Sequence, residues 1–196
     1  MAMRVVLATE NTAKLAEIAS ILGDPAELIG LSRFPGIVLP PEDGDTYEEN
    51  ALGKARAVAR ETGVAALADD SGLEVEFLSG RPGVRSSRYA GPDGDARANN
   101  EKLLRELKGA PAAGRRARFV CVAALVALDG REWLARGEVE GSIGLEPVGA
   151  AGFGYDPLFV PDGHGRTFAE MASAEKNAIS QRTRAFSSIK RYLVEI

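Results

Sequence analysis

The chain has 196 residues, of which 45% are hydrophobic and 27% are charged, and its formal net charge is −4. These values are ordinary for a globular protein that can bury a substantial core, and we expect a single domain over residues 1–196. The acidic balance argues against broad binding to nucleic acid or to anionic membranes. No signal-peptide pattern opens the sequence and no apolar stretch approaches membrane-spanning length, so we expect a cytoplasmic protein without nucleic-acid or membrane partners.

Strand and helix patterns alternate through the first half of the chain. Short apolar runs predict strands at residues 5–8, 27–31 and 64–68. Apolar residues at helical spacing predict helices at 12–22 and 46–63. The third strand leads into Asp69-Asp70-Ser71-Gly72, which favours a turn at its end.

The second half continues the alternation. A helix capped by Asp95 is expected over residues 95–107, and strands are expected at 119–128, 132–140 and 158–160. Residues 167–177 are partly helical in this prediction, and a last helix begins at its cap Ser180 and extends to Ile196. Mixed helices and strands in one unit indicate an α/β domain.

Two adjacent carboxylates, Asp69 and Asp70, stand at the end of a buried strand. Side chains alternate along a strand, so at most one of them can face a given ligand directly. Buried acids are costly unless they are paired, hydrogen-bonded or bound to a metal. Taken alone, this stretch is better explained by a turn that closes a hairpin than by a functional site.

Thr9-x-Asn11-x-x-Lys14 lies at a predicted strand-to-helix turn. Backbone N–H groups at a helix start attract phosphate, Asn11 can cap the helix or contact a phosphate, and Lys14 adds a charge on the same face. By spacing alone, a helix cap with a solvated lysine is somewhat favoured. The chain also lacks the G-x-x-x-x-G-K-[ST] sequence of a phosphate loop.

Glu49 has two interpretations. Thr46-x-x-Glu49 matches a capping box, in which Glu49 folds back on the Thr46 backbone. The exposed start of the helix also suits a magnesium ligand. The segment alone favours the capping box.

A third group of candidates lies near the C-terminal end. Phe153 stands between glycines and can stack on a base, while Lys176 supplies a cation. As a cation in the first turn of the last helix, Arg182 interacts unfavourably with the helix dipole. Its position is therefore better explained by ligand binding than by a structural role. The alternatives are a core role for Phe153 and a solvated Lys176.

The chain has one cysteine and one histidine. Cys121 lies in an apolar run and is expected to be core, and His164 is expected on a surface loop. No disulfide can form within the chain, and neither a zinc site nor a histidine-based nucleophile set is convincing. Any metal here would be held by oxygen, which points to Mg²⁺ or Mn²⁺.

Several stretches, in order along the chain, resemble the inosine triphosphate pyrophosphatase family of non-canonical purine nucleotide pyrophosphatases. They are Leu7-Ala-Thr9-Glu-Asn11-Thr-Ala-Lys14, Glu49-Asn-Ala-x-x-Lys54-Ala, Leu67-Ala-Asp69-Asp70-Ser71-Gly-Leu-Glu, Pro82-Gly-Val-x-Ser-x-Arg88-Tyr-Ala-Gly91, Gly152-Phe-Gly-Tyr-Asp156-Pro-x-Phe, Thr167-Phe-Ala-Glu-Met171 and Glu175-Lys-Asn-x-x-Ser-x-Arg182. The resemblance implies an elongated α/β fold, with a central mixed sheet flanked by helices and a cleft between two lobes. It also implies a homodimer.

The same resemblance implies a Mg²⁺-dependent hydrolase that converts ITP, dITP and XTP into the monophosphate and pyrophosphate. Glu49 and Asp70 serve the metal, and Asp70 is the proton acceptor. A carboxylate on Mg²⁺ should have a lowered pKa, so Asp70 can instead orient the water. The implied substrate-binding residues are Thr9, Glu10, Asn11, Thr12, Ala13, Lys14, Ser71, Phe153, Gly154, Tyr155, Asp156, Lys176, Gln181 and Arg182, with Lys14 on the phosphates.

Gln181 departs from the family, which usually has histidine at this position. Arg182 is the expected donor to the purine O6, and glutamine offers both a donor and an acceptor but cannot become cationic. We expect hydrolysis to survive and discrimination against canonical purines to weaken.

Two other functions stay open: a non-catalytic nucleotide sensor and a phosphatase that removes the terminal phosphate. The pair Glu49 and Asp70 argues against the sensor, because binding a triphosphate without chemistry needs no such acids.

Overall fold

A computed structural model describes residues 4–23, 26–92 and 94–196. Its strands are β1 Arg4–Leu7, β2 Glu27–Gly30, β3 Ala66–Val75, β4 Arg116–Val126, β5 Glu132–Ile143 and β6 Phe159–Pro161. Its α-helices are α1 Thr12–Leu22, α2 Tyr47–Thr62, α3 Ala96–Glu106, α4 Ser173–Ile179 and α5 Gln181–Ile189. The predicted α/β class is therefore confirmed.

The strands form one mixed sheet. In the described ranges its order is β2-β1-β3-β4-β5-β6. β1 pairs in parallel with β2 and with β3, whereas β5 and β6 are antiparallel. Because β1 has a neighbour on each side, its residues Val5 and Val6 are fully buried, as the short apolar run predicts.

The chain divides into two compact units. The first unit holds the residues through Asp70 together with Cys121–Gly137 and Gln181–Ile196, and the second holds Ser71–Val120 and Glu138–Ser180. Each unit has its own hydrophobic core. Leu7, Ile18 and Phe186 are fully or almost fully buried in the first core, and Leu103, Phe159 and Phe168 are fully buried in the second.

β3 is longer than the sequence predicts, and the turn expected at Asp69-Asp70-Ser71 is wrong. The strand continues to Val75 because Leu73 and Val75 are fully buried in the second core. The backbone N–H of Leu73 is also satisfied, since it donates to Ser86 Oγ at 2.8 Å. Apolar residues beyond the acids thus keep the chain extended where turn-forming residue types suggested a reversal.

The last helix is shorter than predicted. α5 ends at Ile189, and Lys190–Val194 form a 3₁₀ helix. Leu193 is fully buried in the first core, and Tyr192 is partly buried and packs against that core.

Candidate active site

Asp69 and Asp70 have different neighbours, as strand alternation predicts. Asp70 Oδ2 accepts a hydrogen bond from Asn50 Nδ2 at 2.9 Å. Asp69 accepts hydrogen bonds from Lys14 Nζ at 3.1 and 3.3 Å and from Arg182 Nη2 at 3.4 Å. Both acids are buried. β3 therefore carries an ion-paired carboxylate next to one held by an amide.

Asp70 has the electrostatics of a functional carboxylate. Burial raises its pKa to about 6, and the charge of Glu42 adds to the rise, while Lys54, Asn50 and Lys14 oppose it. A desolvated carboxylate of this kind gains from binding a proton or a metal cation. Perturbed acids cluster at active sites, so the electrostatics of Asp70 favour a functional role.

Three neighbours of Asp70 were not identified as site residues from the sequence: Glu42, Asn50 and Lys54. Lys54 Nζ donates to the Asp69 backbone oxygen at 2.6 Å and pairs with Glu42. Burial alone would lower the pKa of Lys54, but the charges of Asp69, Glu42 and Asp70 raise it. Asn50 and Lys54 lie one turn apart on the buried face of α2, and polar residues on that face were the available signal. Glu42 lies in a polar, proline-containing loop, where no sequence pattern distinguishes it from its neighbours.

Glu49 forms the predicted capping box. Its Oε2 accepts hydrogen bonds from the N–H groups of Asp45 at 2.9 Å and Thr46 at 3.1 Å, and Thr46 Oγ1 accepts from the Glu49 N–H at 3.1 Å. Glu49 is exposed, and its Oε1 accepts no hydrogen bond from the described residues. The cap therefore uses only one of the two carboxylate oxygens.

The donor atoms in this region are carboxylate oxygens, which are the ligands that Mg²⁺ prefers. Asp70 and Glu49 present carboxylate oxygens, and Glu42 is a further acid whose charge acts on Asp70. In the described part of the chain, no group of three or more His, Cys, Asp or Glu side chains is arranged to hold a metal. Protein-bound Mg²⁺ usually takes one or two carboxylates and completes its shell with water and substrate phosphates, so such a group is not required.

The Thr9 to Lys14 segment surrounds the start of α1. Asn11 Oδ1 caps the helix by accepting from the N–H groups of Ala13 at 3.0 Å and Lys14 at 3.1 Å. The cap interpretation is thus confirmed for Asn11, whereas the solvated lysine is wrong because Lys14 is paired with a buried acid. Thr9, Glu10, Asn11 and Thr12 line a pocket of about 290 Å³ with the loop around Phe34.

Arg182 has a structural reason for its position, contrary to the expectation from the helix dipole. It is 2% exposed and donates to Glu17 Oε2 at 2.7 Å, in addition to its contact with Asp69. Burial alone would lower its pKa, but the charges of Asp69 and Glu17 raise it. These two acids outweigh the unfavourable dipole. Its neighbour Gln181 is also buried.

The second unit contains a cluster built on Phe153, Asp156 and Lys176. Lys176 Nζ donates to Asp156 Oδ2 at 2.6 Å and lies 4.9 Å from the centroid of the Phe153 ring. The Phe153 N–H donates to the same oxygen at 2.8 Å. Lys176 is 8% exposed, so it is not the solvated lysine of the alternative interpretation.

The remaining candidates are placed as follows. Tyr155 is buried in the second core, and its hydroxyl donates to the Ser86 backbone oxygen at 2.9 Å. Gly154 and Ser71 are half-buried. Cys121 is fully buried and His164 is exposed, as predicted. Among the helices of the described residues, none has the length and hydropathy that a membrane span requires.

Comparison with known proteins gives matches along nearly the whole chain. The dITP/XTP pyrophosphatase of Nocardia farcinica is 50% identical over 186 residues, which are 93% of this chain and 90% of that protein. The dITP/XTP pyrophosphatase of Geobacter sulfurreducens is 49% identical over 191 residues, which are 97% and 96% of the two chains.

Solved structures share the fold. A HAM1 protein from Coxiella burnetii has a TM-score of 0.89 and 42% identity, covering 99% of this chain and 100% of that one. The dITP/XTP pyrophosphatase of Mycobacterium abscessus has a TM-score of 0.79 and 44% identity, covering 95% and 98%. A model of the Ham1 family matches residues 5–192. The resemblance expected from the sequence is confirmed, and the chain belongs to the Ham1 family.

Proposed function

We propose that the chain is a hydrolase that cleaves dITP, XTP and ITP to the nucleoside monophosphate and pyrophosphate and so removes them from the nucleotide pool. Relatives that are 49–50% identical over nearly the whole chain are dITP/XTP pyrophosphatases. Asp70 carries the argument at the level of residues, because burial raises its pKa to about 6 and Asn50 holds its carboxylate at 2.9 Å.

The reaction needs little covalent help from the protein. Cleavage between the α- and β-phosphates requires neutralisation of charge and a water aligned with the leaving group. We assign the phosphates to Lys14 and the helix start at Thr9–Lys14, and the orientation of the water to the Asp70 carboxylate. Mg²⁺, or Mn²⁺ in its place, would supply charge neutralisation on the triphosphate. Asp70 with Glu49 would hold it, and Glu42 is the further acid available nearby.

Base selection is assigned to residues of each unit. In the first unit, the ion pairs with Glu17 and Asp69 fix the guanidinium of Arg182, whose donors suit the O6 of hypoxanthine and xanthine. Adenine lacks that acceptor, and an unmatched donor is costly. Gln181 lies beside Arg182. In the second unit, Ser71, Phe153, Gly154, Tyr155, Asp156 and Lys176 remain proposed substrate contacts.

A product assay tests the proposal. The protein is incubated separately with dITP, XTP, ITP, GTP and ATP in the presence of Mg²⁺, and the products are separated by ion-exchange chromatography. We expect monophosphate and pyrophosphate from the first three substrates, and no turnover after EDTA. Inorganic phosphate with a diphosphate would indicate the terminal phosphatase, and tight binding without turnover would indicate the sensor.

Two variants connect the activity to the site. Asp70→Asn should nearly abolish turnover while the protein still folds, because the Asn50 contact can be kept by an amide oxygen. Asp162→Asn, in an exposed surface loop, is the matched control and should retain full activity. Near-normal turnover in Asp70→Asn would refute the role of this residue.

We also propose that residues 1–196 act as one functional domain, and that the protein is a cytoplasmic homodimer. The homodimer rests on the family resemblance, and the single domain rests on the length and composition of the chain. Sedimentation equilibrium of the purified protein measures the oligomeric state directly, and a monomer at micromolar concentration would contradict the dimer.

A further inference from the structure

We propose that Asp69 is a counter-ion that competes with nucleotide phosphates for Lys14, and thereby limits how tightly the product pyrophosphate is held. The inference rests on the proposed role of Lys14 in phosphate binding. It adds a positioning residue to that function, since Asp69 acts through Lys14.

The first observation is the geometry of the pair. Lys14 Nζ lies 3.1 Å from Asp69 Oδ2 and 3.3 Å from Oδ1, so it addresses both carboxylate oxygens. The Asp69 side chain is 2% exposed and that of Lys14 is 20% exposed. A partly buried pair is screened by solvent far less than a surface pair. A phosphate that binds Lys14 must therefore take its ammonium group from Asp69 or share it.

The second observation is that Asp69 does not depend on Lys14 alone. Arg182 Nη2 lies 3.4 Å from Asp69 Oδ2, and Cys121 Sγ lies 3.9 Å from the same oxygen. Lys54 Nζ holds the backbone oxygen of Asp69 at 2.6 Å. When Lys14 turns to a phosphate, the buried carboxylate keeps a cationic partner. The exchange therefore avoids the large penalty of an unpaired buried charge.

Arg182 is itself protected during this exchange. Its guanidinium also donates to Glu17 Oε2 at 2.7 Å, and both side chains are well buried. Loss of the Lys14 contact leaves the pair of Arg182 and Glu17 unchanged. Among these groups Lys14 is the most exposed, so it is the cation that can move toward a ligand.

The consequence is a penalty on phosphate affinity. When substrate or pyrophosphate binds Lys14, it disrupts the ion pair of Lys14 with Asp69. The binding free energy gained from the Lys14 contact is reduced by the free energy of that ion pair. Asp69→Asn keeps the size of the side chain and an acceptor oxygen but removes its charge. Lys14 is then released to the phosphate at lower cost, so the variant should bind pyrophosphate more tightly than the wild type. Damage to the fold would have the opposite effect.

The main experiment measures the dissociation constant of inorganic pyrophosphate by isothermal titration calorimetry, without divalent cations. We expect Asp69→Asn to bind roughly five- to thirty-fold more tightly than the wild type, because the burial of this ion pair lies between that of an exposed pair and that of a fully buried one. In the Lys14→Met background, Asp69→Asn should leave the dissociation constant of pyrophosphate unchanged. Unchanged or weaker binding in Asp69→Asn overturns the proposal, as does tightening that persists without Lys14, since that would reflect a general change in charge.

A second measurement uses the wild-type protein and does not depend on the folding of the variant. The ammonium ¹H–¹⁵N signal of Lys14 is assigned by its loss in Lys14→Arg and followed during titration with pyrophosphate. We expect this signal to shift while that of Lys54, held by Glu42 and the Asp69 backbone, stays in place. A Lys14 signal that does not move at saturation overturns the exchange.

Loss of the Asp69 role and loss of the proposed function give different experimental results. If the wild type converts dITP to dIMP and pyrophosphate but the calorimetric or NMR result is negative, only the role of Asp69 is lost. If dITP is not turned over, the proposed function is lost, whatever the pyrophosphate affinities are.

Discussion

Asn50 Nδ2 lies 2.9 Å from Asp70 Oδ2, and this contact joins the first turn of α2 to a carboxylate in the middle of β3. The two residues are 5% and 4% exposed. An amide is a weaker partner for a carboxylate than a cation is, so the bond orients Asp70 without cancelling the cost of its burial. Ionised Asp70 therefore reduces the stability of the metal-free protein, and this cost can be measured.

The first prediction concerns Asp70→Asn and pH. The folded pKa of Asp70 is raised from 3.8 to about 6, so the folded state binds the proton more tightly and stability falls as pH rises between these values. Removing the charge should raise the free energy of unfolding by on the order of 3 kcal/mol at about pH 8, and by little at about pH 4. Urea denaturation in EDTA checks both values.

The control for this prediction is Asp162→Asn. Hydrogen bonding to Arg116 lowers the pKa of Asp162, so its neutralisation should not stabilise the protein at alkaline pH. An Asp70→Asn variant that is less stable than the wild type at about pH 8 would show that burial does not strain this carboxylate.

The second prediction separates the two roles of Glu49. Thr46→Ala removes the acceptor for the Glu49 N–H and should cost about 1 kcal/mol of stability in urea denaturation. Glu49→Gln keeps an oxygen for the N–H groups of Asp45 and Thr46, so its stability should change little. If Glu49 also serves the metal, Glu49→Gln should raise the Mg²⁺ concentration needed for half-maximal activity. An unchanged Mg²⁺ requirement would leave Glu49 with the cap alone.

The third prediction compares the effects of Glu42 and Glu49 on the pKa of Asp70 and on the Mg²⁺ requirement. The charge of Glu42 raises the pKa of Asp70, whereas Glu49 is engaged with backbone N–H groups. We expect Glu42→Gln to lower the pKa of Asp70, and to raise the Mg²⁺ requirement at least as much as Glu49→Gln does. Carboxylate NMR titration and activity at graded Mg²⁺ concentrations measure these effects. An Asp70 pKa that does not change in Glu42→Gln would contradict the assignment.

The fourth prediction concerns the buried pair of Lys176 and Asp156. Their side chains are 10% and 5% exposed, and Lys176→Met takes this cation away from the buried, charged Asp156. We expect a loss of about 3 kcal/mol in the free energy of unfolding. Adding Asp156→Asn should recover part of that loss, because the amide oxygen can still accept from the Phe153 N–H. Additive losses in the double variant would mean that the two groups are not coupled.

The fifth prediction tests the departure at Gln181. Histidine is usual at this position in the family that the sequence resembles, and glutamine can turn its amide oxygen or nitrogen toward a purine. We expect Gln181→His to raise the ratio of kcat/KM for ITP to that for GTP. Initial rates with both substrates measure this ratio for each protein. A ratio that stays the same would remove Gln181 from base selection.

Much of the fold could be predicted from local sequence. The α1 range, the capping box at Thr46 and the Asp95 cap of α3 agree with the structure, because each depends on residues within one turn of one another. Strand alternation also predicted that Asp69 and Asp70 have different neighbours. These features depend on short-range geometry, which a single sequence contains.

Long-range partners were decided only by the tertiary structure. Lys14 and Asp69 are 55 positions apart, and Arg182 and Asp69 are 113 apart, so no local pattern could reveal that Lys14 is not solvated or that Arg182 is paired with two acids. The continuation of β3 past Asp70 has the same cause, since the cores that bury Leu73 and Val75 are assembled from distant segments. The sequence supplied the candidate site residues, and packing determined which charges those residues face.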